Sequence, residues 1–142
     1  MKKKAIISAC LLGLDCRYDG GNNYVGDEKI KKLKENYELI PVCPEAYGGL
    51  TTPRVPSEIA GDKVVSRLGA DVTHEFGKGA DAALYLAKLF DCDCAILKAN
   101  SPSCGSGTVY DGTFSGTLTE GYGVTARLLT ENGIRVIDEN EI

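Results

Sequence analysis

The chain has 142 residues, of which 43% are hydrophobic and 25% charged, with a formal net charge of −4. That length fits one domain that buries its own core without covalent staples, and the acidic balance disfavours RNA as the main partner, although a local basic patch is compatible with it. No stretch approaches the roughly 18 apolar residues of a membrane span.

Lys2 to Lys4 followed by Ala5-Ile6-Ile7-Ser8-Ala9-Cys10 imitates an export signal. The apolar stretch falls short of the about 7–15 residues of an export core, so it reads as a first, buried strand and the protein as cytoplasmic. Asp27 can cap a helix whose Ile30, Leu33 and Tyr37 share one face. Glu38-Leu39-Ile40-Pro41-Val42 is a second strand, with Pro41 marking its end. From Pro44 to Val72 the pattern is irregular, with Lys63-Val64-Val65-Ser66 as a short strand. Asp71 or Thr73 caps a longer helix through Phe90, on which Phe76, Ala80, Ala83, Ala87 and Phe90 recur at helical spacing. Cys94-Ala95-Ile96-Leu97 is the next strand. Gly105 to Gly116 reads as a Gly-rich loop with a tight turn at Asp111-Gly112. A last helix from Glu120 to Asn132 ends at Gly133, and Ile134-Arg135-Val136-Ile137 is a final strand. Strands alternating with helices predict an α/β three-layer sandwich with a mostly parallel, Rossmann-like sheet, in a single domain over residues 1–142.

Six cysteines punctuate this pattern: Cys10, Cys16, Cys43, Cys92, Cys94 and Cys104. In a cytoplasmic chain such a set points to metal or catalysis before disulfides. Cys10 and Cys43 directly follow the first two strands, and Cys104 lies in the loop after the Cys94 strand. Ligands of an open parallel sheet bind beyond the carboxyl ends of its strands, so three thiols distant in sequence are expected to meet there. Three thiolates suit a soft metal site. Zinc takes four ligands, commonly from C-x-x-C pairs that are absent here, whereas an iron–sulfur cluster on three cysteines keeps one iron open as a Lewis acid. Ordinary buried cysteines are the plain competing reading. Cys16, on the loop of Cys10, is a candidate fourth ligand; Cys92 and Cys94 sit at the opposite edge of the sheet and read as core. A phosphate-binding loop of the low-molecular-weight phosphatase kind needs five residues between Cys and Arg, but six separate Cys10 from Arg17. No G-x-G-x-x-G follows the first strand, so no dinucleotide site is supported.

The segments Ser8-Ala9-Cys10-Leu11-Leu12-Gly13, Arg17-Tyr18-Asp19-Gly20, Pro41-Val42-Cys43-Pro44-Glu45, Pro53-Arg54 with Pro56 and Glu58-Ile59, Lys98 to Gly105, and Asp111 to Gly116 spread over most of the chain. In these residues the sequence resembles the TudS-type thiouracil desulfidases, long carried as a domain of unknown function. The resemblance implies a 4Fe–4S cluster on Cys10, Cys43 and Cys104, with Cys16 outside it, and roles near the cluster for Glu45 and Ser101. It is to the short, single-domain form, which implies a small thiolated pyrimidine as substrate rather than RNA.

On that expectation the open iron activates a thiocarbonyl, water attacks the carbon, Glu45 moves the proton, and Ser101 or Ser103 hydrogen-bonds the developing charge, with no redox step. Ser103, Lys98 and Arg17 are the candidate substrate contacts. Each has a plain competitor: Glu45 as a helix-start carboxylate, Ser101 and Ser103 as turn residues, Lys98 as a solvated lysine, Arg17 with Asp19 as a surface pair. His74, near a helix start, reads as structural. Two alternatives stay open: a hydro-lyase acting on a hydroxy acid at the same open iron, with Arg17, Arg54 and Arg127 as cations, and a non-enzymatic zinc or metal-free binding domain.

Overall fold

The computed structural model describes residues 2–142. Its centre is a four-stranded sheet built from β1 (Lys3–Ser8), β2 (Tyr37–Val42), β5 (Cys94–Leu97) and β8 (Arg135–Asp138) in the order β2-β1-β5-β8, every pairing parallel. The interior strands β1 and β5 carry near-continuous apolar runs because both of their faces are covered. Ala5, Ile7, Cys94, Ile96 and Ile137 pack with Leu33 of helix α1 (Asp27–Asn36). Ile6, Ala95 and Leu97 point the other way, against Ala83 and Ala87 of α3 (Thr73–Leu89) and Ala126 and Leu129 of α4 (Val124–Glu131). These are the three layers that the alternation of strands and helices predicts, since side chains of a strand alternate between its faces. Among the described residues no helix is long and apolar enough to cross a membrane.

Local departures from the sequence pattern have physical causes. Tyr37 belongs to β2 rather than to the face of α1: it pairs with Lys3 at the start of the ladder, and pairing overrides helical periodicity. Pro41 does not end β2, which runs through Val42, because β2 is an edge strand and proline is tolerated there. The segment from Pro44 holds a short helix α2 (Pro44–Tyr47) and the hairpin β3 (Ser57–Ala60) and β4 (Lys63–Ser66). The Gly-rich stretch after Cys104 is no simple loop: Ser106–Tyr110 (β6) pairs antiparallel with Leu118–Tyr122 (β7), so α4 starts at Val124 instead of Glu120. Buried Glu58 on β3 accepts the Gly112 and Phe114 N–H groups at 2.9 and 3.2 Å, which fastens the tip of this second hairpin to the first.

The approach of α2 to α3 is unusually close. A Cβ on Gly79 would stand 1.9 Å from the Pro44 carbonyl oxygen, and one on Gly48 1.9 Å from that of Glu75. Only glycine at both positions lets α2, with Cys43 immediately before it, lie against the long helix.

Candidate active site

Cys10, Cys43 and Cys104 lie beyond the carboxyl ends of β1, β2 and β5. β1 runs directly into a 3-10 turn, Ala9–Leu12, which holds Cys10 and closes at Gly13 with φ 97°, a left-handed conformation that favours glycine. β2 ends at Val42, Cys43 keeps an extended backbone, and Pro44 opens α2 at a position where its missing N–H costs nothing. β5 ends at Leu97, and the loop from Lys98 folds back on Ser101, whose Oγ accepts the Ser103 and Cys104 N–H groups, both at 3.1 Å.

The thiols of these loops lie within each other's electrostatic reach. Burial raises Cys10 above the ordinary thiol range; the neighbouring Cys43 adds to this, while a hydrogen bond with Asn23 and the charge of Lys98 oppose it. Burial pushes Cys104 up to about 12 against the Ser8 hydrogen bond, with Glu45 and Cys10 adding to the rise. Ser8 is buried, donates to Cys104 Sγ at 3.6 Å and accepts the Lys98 N–H at 3.0 Å. Cys16 is drawn to the same place: burial, then Cys43 and Cys10, push its thiol up to about 12. Thiols with raised pKa must shed protons to become soft ligands, so occupancy by metal releases protons here. Cys92 and Cys94 lie elsewhere, at the end of α3 and the start of β5, at the amino end of the sheet. His74 is exposed in the first turn of α3.

The donor set is sulfur-rich. Among the described residues no three His, Cys, Asp or Glu side chains converge tightly enough for a single metal ion. Separate thiols around a shared pole suit a polynuclear group, in which each thiolate holds a different metal atom, better than a mononuclear zinc.

The polar residues around the thiols are already engaged. Glu45, in the first turn of α2, pairs with Arg54, Oε2 to Nη2 at 3.1 Å. Lys98 Nζ meets Glu139 Oε2 at 2.7 Å and the Ala99 carbonyl at 3.0 Å. Burial alone would raise Glu139, but the Lys98 and Ala99 hydrogen bonds outweigh it and leave the carboxyl below its usual range. Arg17 forms a two-pronged pair with Asp19, at 2.8 and 2.7 Å, and donates to Asn23 at 3.2 Å; the pair holds Asp19 at about 2. Ser103 is buried and shares a 2.8 Å hydrogen bond with the Thr125 hydroxyl, so it braces its loop against α4. Ser101 is held through its acceptor side, which leaves its own proton to donate.

Reasoning from sequence gave no site role to Ser8, Asn23 or Glu139, and set Arg54 aside as a cation for a hydroxy acid. Ser8 and Arg54 lie inside the matched segments, but nothing in residue type alone separates them from a core serine and a solvated arginine.

Known proteins are similar to this chain over nearly its whole length. A solved structure described as a [4Fe-4S]-dependent thiouracil desulfidase, TudS, superposes with a TM-score of 0.93 at 43% identity, covering 99% of this chain and 93% of that one. An uncharacterised protein of Bacillus subtilis (strain 168), YbbK, is 46% identical over 147 residues, 96% of each chain. Residues 5–141 match the family model for 2-thiouracil desulfurase, and the chain belongs to that family.

Proposed function

We propose that the chain is an iron–sulfur-dependent, non-redox desulfidase that converts a thiolated pyrimidine, a base or nucleotide of the 2-thiouracil or 4-thiouracil type, to the uracil form and sulfide. The observation that carries this reading is the gathering of Cys10, Cys43 and Cys104 from the carboxyl ends of three neighbouring strands. The likeness to the TudS structure supports both the cofactor and the reaction class.

In this reading the three cysteines hold a 4Fe–4S cluster, which supplies a soft Lewis acid matched to a thiocarbonyl sulfur. The remaining work falls to the chain. Glu45 takes a proton from the water that adds to the ring carbon and delivers one to the ring nitrogen. Ser101, its oxygen fixed by two N–H groups, donates its proton to the charge that develops on the ring. Ser8 steadies Cys104 from behind, as a hydrogen bond to a ligand atom does. Glu139, Asp19 and Thr125 hold Lys98, Arg17 and Ser103 in place, and Lys98 and Arg17 keep further N–H donors for a substrate contact. Small thiolated pyrimidines fit the acidic chain better than RNA does.

The test is anaerobic reconstitution with iron and sulfide, followed by assay of sulfide released from 2-thiouracil, 4-thiouracil and their nucleotides. Brown protein that releases sulfide from at least one of them is expected. A folded, colourless preparation carrying zinc, or loaded protein that releases no sulfide, overturns the reading.

A further inference from the structure

Arg67, Arg127 and Arg135 are exposed, and Arg17 is held by a surface aspartate. Arg54 differs: its side chain is only 7% exposed and lies among the cysteine loops. Nη1 donates to the Thr51 carbonyl at 3.3 Å and Thr52 Oγ1 at 3.0 Å, and Nη2 to the Cys16 carbonyl at 3.0 Å and Glu45 Oε2 at 3.1 Å. Its own backbone N–H bonds the Tyr18 carbonyl at 2.7 Å. One side chain thus ties the loop of Cys16 to the helix of Glu45.

A guanidinium carries five N–H donors in a rigid plane. Four are engaged, and the fifth, Nε–H, is buried with no partner among the described residues. A buried donor without an acceptor is costly and rare in native structures, and calls for a functional account. Nε–H and one N–H of Nη2 lie along the same edge of the plane, the edge that matches both oxygens of a carboxylate. Glu45 meets Arg54 through one oxygen only.

We propose that Arg54 is a positioning residue for Glu45: Nη2 holds the carboxylate at the cysteine pole, and the partnerless Nε–H is the second donor onto which that carboxylate closes when a pyrimidine binds there. This rests on the role given to Glu45 above. The guanidinium then sets both the place and the plane of the carboxylate. A lysine in its place keeps the charge but has no planar two-donor edge.

A double-mutant cycle on iron-loaded protein tests this, using whichever of 2-thiouracil and 4-thiouracil turns over faster. Glu45→Gln, Arg54→Lys and the double variant are compared for kcat, KM, iron content and thermal midpoint. Arg54→Lys is expected to lower kcat at least about tenfold with KM within about twofold, and to keep iron, with a thermal midpoint lowered by the lost contacts to Thr51, Thr52 and Cys16. The double variant is expected to be no slower than Glu45→Gln, because the second change removes an interaction already lost. Additive losses, an unchanged kcat in Arg54→Lys, or iron lost in step with kcat make Arg54 a loop brace and overturn the proposal. A fully active Glu45→Gln overturns instead the reading of Glu45, and the proposal with it. Should the lysine variant not fold, the unsubstituted holoprotein labelled with 15N-arginine decides. The Arg54 Nε–H resonance shifts when uracil is added, and does not shift in Glu45→Gln. No shift in the unsubstituted protein, or an equal shift in both, overturns the proposal.

Discussion

The two ends of the central sheet hold the same kind of side chain in opposite circumstances. At the carboxyl end, Cys10, Cys16, Cys43 and Cys104 come from three loops, and Cys10, Cys16 and Cys104 each feel a thiol from another loop. At the amino end, Cys92 and Cys94 are neighbours in sequence; burial raises both thiols, as it does at the carboxyl end, but the thiol that acts on Cys92 is its sequence neighbour Cys94. Cys94 is packed with Ala5, Ile7 and Leu33. Parallel strands release their loops toward one end, so residues far apart in sequence converge there, while the other end receives only chain entering the sheet. On the proposed reading, position on the topology, more than residue type, separates a ligand cysteine from a space-filling one.

The sharpest way to break this contrast is to delete thiols at each end. Cys10→Ala, Cys43→Ala and Cys104→Ala are each expected to abolish iron retention after anaerobic reconstitution. Cys92→Ala and Cys94→Ala are expected to keep it, with stability lowered by about 1 kcal/mol for the lost packing. Iron per protein and urea midpoints measure both; iron loss in Cys92→Ala equal to that in Cys43→Ala would erase the distinction. A smaller effect comes from Gly79→Ala, whose methyl collides with the Pro44 carbonyl. Overpacking of this kind costs about 1–3 kcal/mol, and because it displaces α2 it is expected to lower turnover along with the thermal midpoint, although residue 79 faces no thiol.

The smallest effect is electrostatic. The Lys98–Glu139 pair fastens the loop after β5 to the segment after β8. Since the folded carboxyl lies below its usual range, the pair stabilises above the unfolded pKa of glutamate and loses that contribution as pH falls through the folded value. The difference between the parent chain and Glu139→Gln, about 1 kcal/mol at neutral pH, is therefore expected to shrink in acid. Urea unfolding at neutral and acidic pH reads it, and a difference that grows in acid contradicts the assignment.

The sheet was legible in the sequence because β1, β2 and β5 are apolar runs bounded by charges and turn residues, with Cys10 and Cys43 just past β1 and β2 and Cys104 in the loop after β5. The β6–β7 hairpin was not: Gly107 and Gly121 face each other across it, and exposed polar residues leave no alternation to read. Tyr37 misled because an aromatic at helical spacing is also a good strand residue. Arg54 was hidden for another reason: burial of a charge is a tertiary fact, created only when the Cys16 loop, the Thr51-Thr52 segment and α2 close around it.

The interior place of β1 in the sheet has a consequence for biosynthesis. β1 is made before β5 and waits for it to arrive alongside, and the loop bearing Cys104 follows later still. On the proposed reading the sulfur pole is complete only once Cys104 has been made and β5 has joined β1, so a cluster held there is assembled late.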